Sequence, residues 1–222
     1  TILCALSGIL ITEAARATAA NNQAHLQRLT KAVIQKTLQL SIFIAAGLLL
    51  YGNLIGTLLD GGSLAGHLIR LLAPVVPFIY LEIVLEALLK GMGQQSFSSL
   101  NYLAEYTIRI AIVLVCIPKF GFYGIVLSYY ASNVCGNCFR LWKTCKTAHI
   151  RFSFWSDVGF PLFAAALAFQ VPLCGLRLLH GMQFAWICLL PAILIDYALL
   201  KSYGKIAAIP LLSKKQHAYS SA

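Results

Sequence analysis

Apolar runs of about twenty residues recur along the chain, separated by short polar or basic stretches, and each run is long enough to cross a bilayer as a helix. The pattern predicts helices over residues 1–16, 31–52, 66–90, 99–117, 121–142, 157–177 and 182–203, the first shorter than a full span. Between them it predicts a basic loop at 17–30, turns at Asp60-Gly61-Gly62 and Gly91-Met92-Gly93, and a tight turn at Pro118-Lys119-Phe120-Gly121. A basic loop at 143–156 and a basic tail after Lys201 complete the outline. Pro118 and Gly121 are expected to stop a helix, and Ser153 or Ser156 is placed to cap the helix opening at Asp157. Pro74, Pro77, Pro161, Pro172 and Pro191 fall inside predicted spans, where each removes a backbone donor and favours a kink. The expected fold is all-α, a polytopic membrane helix bundle of about six full spans plus one partial.

Composition agrees with the pattern. The 222 residues are 59% hydrophobic and 11% charged, with mean hydropathy +0.79, which is more apolar surface than a globular core of that size hides and leaves no room for a soluble catalytic domain. A net charge of +10 in a soluble protein would suggest nucleic acid as partner. Here the basic residues lie between apolar runs, where the positive-inside rule explains them, so no nucleic acid is expected. With the first loop cytoplasmic, that side collects Arg16, Arg28, Lys31, Lys36, Lys90, Arg140, Lys143, Lys146, Arg151, Lys201, Lys205, Lys214 and Lys215. The other side holds Arg70, Lys119 and Arg177, and Arg109 lies within a span. Thirteen against three predicts a multi-pass protein of the cell membrane with a cytoplasmic C-terminus.

Seven cysteines, an odd number scattered mostly within spans, give no disulfide framework. Cys135-Gly-Asn-Cys138 has no second pair and no histidine pattern beside it, so it reads as packing rather than zinc or redox chemistry. No cofactor and no metal is implied. The five histidines fall mostly in loops and tails, and the chain lacks Walker, HExxH and GxSxG motifs.

The candidate chemistry sits inside the spans. Leu71 to Gly93, LLAPVVPFIYLEIVLEALLKGMG, is a proline-bent apolar segment carrying Glu82 and Glu86, four apart and hence on one helical face. A charge at mid-bilayer costs at least about 2.5–3.5 kcal/mol, so such acids face a protein interior or a water-filled path. They fit either an interhelical bonding pair or a contact for protons, Na⁺ or substrate. Glu105 and Arg109 have the i,i+4 order favourable for a helical ion pair, and the guanidinium also suits bidentate contact with phosphate. Asp196 is a third acid site, in the last span, with no partner legible. Tyr80, Tyr102, Tyr106, Tyr129 and Tyr130 could line a polar path or sit at the membrane interface. The basic stretches Arg28–Lys36 and Arg140–Arg151 read first as topogenic and attracted to anionic lipid, or more sharply as recruiting an anionic substrate.

The order of these features resembles a known family. Leu89-Lys90-Gly91-Met92-Gly93-Gln94 closing a proline-bearing span, then Pro118-Lys119-Phe120-Gly121-Phe122-Tyr123-Gly124 and a basic WKTCK, is similar to the polysaccharide flippases of the multidrug/oligosaccharidyl-lipid/polysaccharide exporter superfamily. The stage V sporulation protein B-like branch is the nearest resemblance. Thr12 to Leu29, with Arg16, fits that family's intracellular connection, and the likeness covers about residues 1–145. It implies a two-lobed helical transporter that moves an undecaprenyl-linked oligosaccharide or peptidoglycan precursor outward by alternating access, without covalent chemistry and hence not an enzyme. The chain would supply the C-terminal lobe: a bundle over 1–145, two additional helices over 146–203 and a basic tail over 204–222. Partners would be the lipid-linked saccharide, membrane lipids and an N-terminal lobe that this chain lacks, without which no transport is expected. Glu82, Glu86, Glu105 and Arg109 are the expected cavity residues, with Asp196 a further candidate. A cation-coupled multidrug exporter of the same superfamily, a membrane-embedded acyl- or glycosyltransferase, and a non-transporting scaffold of cell-wall assembly remain as alternatives.

Overall fold

Asn22 accepts a hydrogen bond from the His25 backbone N–H (3.1 Å) and so caps a helix that runs without interruption from Gln23 to Leu58. It is α2, preceded by α1 (Ile2–Ala19) and followed by α3 (Gly62–Leu72), α4 (Val76–Gly91), α5 (Gln95–Phe120) and α6 (Phe122–Ala148). The structure is a computed structural model that describes residues 2–59, 62–150, 152–153, 155–166, 168, 193–198 and 201. Among the described residues all regular structure is helical. Two compact units result, Thr1–Val158 and Gly159–Ala222. In the second, residues 160–166 and 193–198 are helical, and the remainder of the expected spans 157–177 and 182–203 lies outside the described residues.

Among the described residues, three stretches are long and apolar enough to cross a membrane: Gln23–Leu58, Ser63–Gly91 and Gln95–Phe120. They mark the chain as a membrane protein. The helix over the expected span 121–142 is also present as α6, but its buried side is polar from Ser128 to Thr144.

Helix boundaries differ from the sequence reading in three places. The expected loop at 17–30 is helical except around Ala20–Asn22, because polar residues such as His25, Gln27 and Arg28 leave the membrane without leaving the helix. The expected loop at 143–156 is likewise helical to Ala148, where His149 closes α6 in the left-handed conformation (φ 53°). Pro118 does not end α5: it sits in the last turn, and the chain breaks at Gly121, whose φ of 54° suits glycine. At the expected Ser153/Ser156 cap, Asp157 Oδ2 accepts from the Ser153 N–H (3.0 Å) while Asp157 N–H donates to Ser153 O (2.9 Å).

The proline bend is where the sequence places it. Ala73-Pro74-Val75 forms a 3₁₀ turn between α3 and α4, and the Tyr130 hydroxyl of α6 donates to Leu71 O (2.5 Å) at that break. About two turns further along, Asn137 Nδ2 donates to Phe78 O (3.0 Å). These two α6 side chains fasten the kinked span, which is how membrane helices tolerate proline. Close approaches secure the rest: a Cβ on Gly91 would lie 2.6 Å from Ala14 Cβ, so α1 meets α4 there with no spare room.

Candidate functional site

Three polar stripes meet inside the first unit. On α4, Glu82, Glu86 and Lys90 recur every four residues; on α5, Ser98, Asn101, Glu105 and Arg109 follow at spacings of three or four; on α6, Asn133, Asn137, Arg140 and Thr144 do the same. Each stripe is one face of its helix. Packing α4 and α5 against α6 turns the stripes inward.

Arg140 is at the centre and its side chain has no solvent exposure. Its Nη2 lies 2.9 Å from Glu105 Oε2 and 3.5 Å from Glu82 Oε1, and its Nε lies 3.7 Å from Glu86 Oε2. The Tyr102 ring covers the guanidinium at 4.4 Å, a favourable cation–π distance. None of the three guanidinium nitrogens makes a directed hydrogen bond, nor do Glu86 Oε2 and Glu105 Oε2. The cluster is held by charge rather than by aligned donors.

Second counter-charges complete it. Glu105 Oε1 pairs with Arg109 Nη2 (3.2 Å) and Glu86 Oε1 with Lys90 Nζ (3.1 Å), both i,i+4 along one helix. Three carboxylates therefore face three cations, and the cluster is neutral with all six charged, as a site inside a membrane requires. Arg109 is further fixed by Nε donating to Ser132 Oγ (2.9 Å) and lies between the rings of Tyr106 (5.3 Å) and Tyr129 (4.9 Å). Gly136 leaves the space the carboxylate fills: a Cβ there would stand 2.5 Å from Glu105 Oε2 and 3.1 Å from Arg140 Nη1. Asn101 Nδ2 bonds Gly136 O (3.2 Å), locking α5 to α6 beside it.

Exposure is graded across the cluster. The side chains of Glu105 and Glu86 are 4% and 9% exposed, Glu82 20%, Arg109 26% and Lys90 46%. The buried end is the Glu105–Arg140 contact, and the cluster opens outward at Glu82, at Arg109 and most of all at Lys90.

The structure brings together Glu82, Glu86, Glu105 and Arg109, four of the five residues singled out from sequence. Asp196 belongs to the second unit, buried on the helical segment 193–198. Arg140 was missed. The charge pattern counts it among the loop charges, but it is buried within α6. Cys135, Cys138 and Cys145 lie on α6 and Cys116 on α5, all as free thiols, and among the described residues no group of His, Cys, Asp and Glu is arranged to hold a metal ion. No protein-family model, curated protein or solved structure matches this chain.

Proposed function

We propose that this chain is one lobe of a membrane transporter that moves a lipid-linked saccharide precursor across the cytoplasmic membrane by alternating access, with the six-charge cluster on the wall of the path. The observation that carries the reading is Arg109. Its helix, α5, has 26 residues, and Arg109 falls about 2 Å along the axis from the midpoint. That places it about 15 Å from either edge of the hydrocarbon layer, too far for an arginine stem to snorkel to the headgroups. An arginine side chain 26% exposed at that depth favours a polar path over lipid tails beside it.

The flippase-like order of the LKGMGQ and PKFGFYG segments supports the saccharide-lipid substrate over other cargo. The headgroup would pass along the polar face of α5 and α6 while the lipid tail stays in the bilayer, a division that needs no covalent step. Orientation follows from charge: Arg16, Arg28, Lys31, Lys90, Lys143 and Lys146 sit at or near the helix ends that share one side, which the positive-inside rule makes cytoplasmic.

The test is translocation. The full chain, together with the second lobe this reading requires, is reconstituted into liposomes holding a fluorescent undecaprenyl-pyrophosphoryl saccharide, and a membrane-impermeant quencher is added outside. Progressive loss of the protected inner-leaflet signal is expected. A folded protein that leaves that signal constant refutes the reading, and cation-driven drug efflux in its place assigns the protein to drug export.

A further inference from the structure

We infer that the cytoplasmic end of the bundle is a binding site for anionic phospholipid headgroups, built jointly by the first turns of α2 and the adjoining ends of α5 and α6. This site is separate from the transport path, and the inference does not rest on the proposed substrate.

Helix length comes first. The apolar part of α2 begins at about Thr37, so residues 23–36 form about 21 Å of polar helix, enough to pass through the headgroup layer beside a hydrocarbon core of about 30 Å. Arg28, Lys31 and Lys36 are exposed on this stretch. Gln23 Nε2 donates to Thr147 O (3.3 Å) and Gln27 Nε2 to His149 O (3.4 Å), which ties the start of α2 to the end of α6. Lys143 and Lys146 therefore lie at the same end as Arg28 and Lys31.

Aromatic placement is the second, independent observation. Lys146 Nζ stands 5.3 Å from the Trp142 ring centre and Lys143 Nζ 5.4 Å from that of Phe97. Trp142 is 57% exposed. An exposed tryptophan beside lysine is the arrangement of a membrane–water interface, with the ring at headgroup level and the ammonium within reach of phosphate.

Charge balance is the third. Among the described residues none of Arg28, Lys31, Lys36, Lys143 and Lys146 forms an ion pair. Two acids lie at this end: Glu13 faces Arg16 (3.2 Å) and His25 (3.9 Å), and Asp157, which accepts from Gln35 (2.6 Å) and Ser153, is a single negative charge against five positive ones. Five cations at one membrane surface without protein counter-ions attract anionic headgroups. A neutral phosphocholine surface offers them no such gain.

Trp142 is its own reporter. In the full chain carrying Trp155→Phe and Trp186→Phe, reconstituted into phosphatidylcholine vesicles, fluorescence is quenched by brominated phosphatidylglycerol or brominated phosphatidylcholine in parallel series. Preferential quenching by phosphatidylglycerol is expected, about fivefold for each nearby lysine. It should fall about fivefold for each of Lys143→Gln and Lys146→Gln and decline at about 0.5 M NaCl, where surface charges are screened. Equal quenching by the two lipids overturns the assignment, as does a preference that both glutamine substitutions leave unchanged. Loss of the preference on adding inorganic phosphate at low concentration also overturns it, because the site then belongs to soluble phosphate.

Discussion

Replacing Arg140 by leucine is expected to destabilise the bundle by about 3–5 kcal/mol, the range for removing one partner of a buried ion pair. The loss is not uniform over the three carboxylates. Glu105 keeps Arg109 and Glu86 keeps Lys90, whereas Glu82, 20% exposed, relaxes toward the open edge. The largest share therefore falls on Glu105, whose second oxygen, 2.9 Å from Arg140, is left buried without a counter-charge. Loss of the Tyr102 cation–π contact adds about 1–2 kcal/mol within that total. An ordinary interhelical hydrogen bond in a membrane averages about 0.6 kcal/mol, so the two cases separate clearly. Reversible unfolding in bicelles, followed by helix-pair distance probes on α4 and α6, measures the difference. Adding Glu105→Gln to Arg140→Leu should recover at least about 1 kcal/mol, because it removes the orphaned charge. A loss below about 1 kcal/mol for Arg140→Leu, or strict additivity of the pair, refutes the claim that Arg140 is the hub.

Other substitutions probe the packing around that hub. Gly136→Ala should cost about 1–3 kcal/mol, since its methyl displaces the Glu105 carboxylate; the same unfolding assay reads it, and Glu105→Ala should suppress the effect. Gly56→Ala should disrupt the α2–α3 contact, where the new Cβ runs into the Gly66 backbone, while Gly8→Ala, with nothing within 4 Å, should be neutral or slightly stabilising. Asn22→Ala removes the α2 cap and should lower stability by about 1 kcal/mol, with faster amide exchange over the first turn of α2.

Much of this site is legible in the sequence because helical spacing is local. Glu82 with Glu86 and Glu105 with Arg109 are each four apart, and a four-residue interval fixes a shared face before any tertiary structure exists. Pro74 and Pro77 likewise state their kink locally, through missing donors. Arg140 was hidden for the opposite reason. It lies three residues from Lys143 in a basic run, and a charge count treats every lysine and arginine near a helix end as topogenic. The signal that could have exposed it is the stripe Asn133, Asn137, Arg140 and Thr144, too polar for a lipid-facing surface. Which carboxylates Arg140 meets depends on how α6 packs on α4 and α5, and no local spacing encodes that. The missed helix extents at 17–30 and 143–148 have a simpler cause: hydropathy marks where a helix is in lipid, not where it ends.

The central claim, that the Arg109 face of α5 and α6 borders an aqueous path while the outer face of α5 borders lipid, is tested by thiol accessibility. On a cysteine-free background, Tyr129→Cys leaves all six charges in place beside Arg109, and Leu114→Cys lies on α5 at a position 70% exposed in the isolated chain. A membrane-impermeant, charged methanethiosulfonate should modify the first rapidly and leave the second untouched, and the lipid-linked saccharide should protect the first. Reaction at Leu114→Cys as fast as at Tyr129→Cys, or an inert Tyr129→Cys in folded protein, contradicts the account.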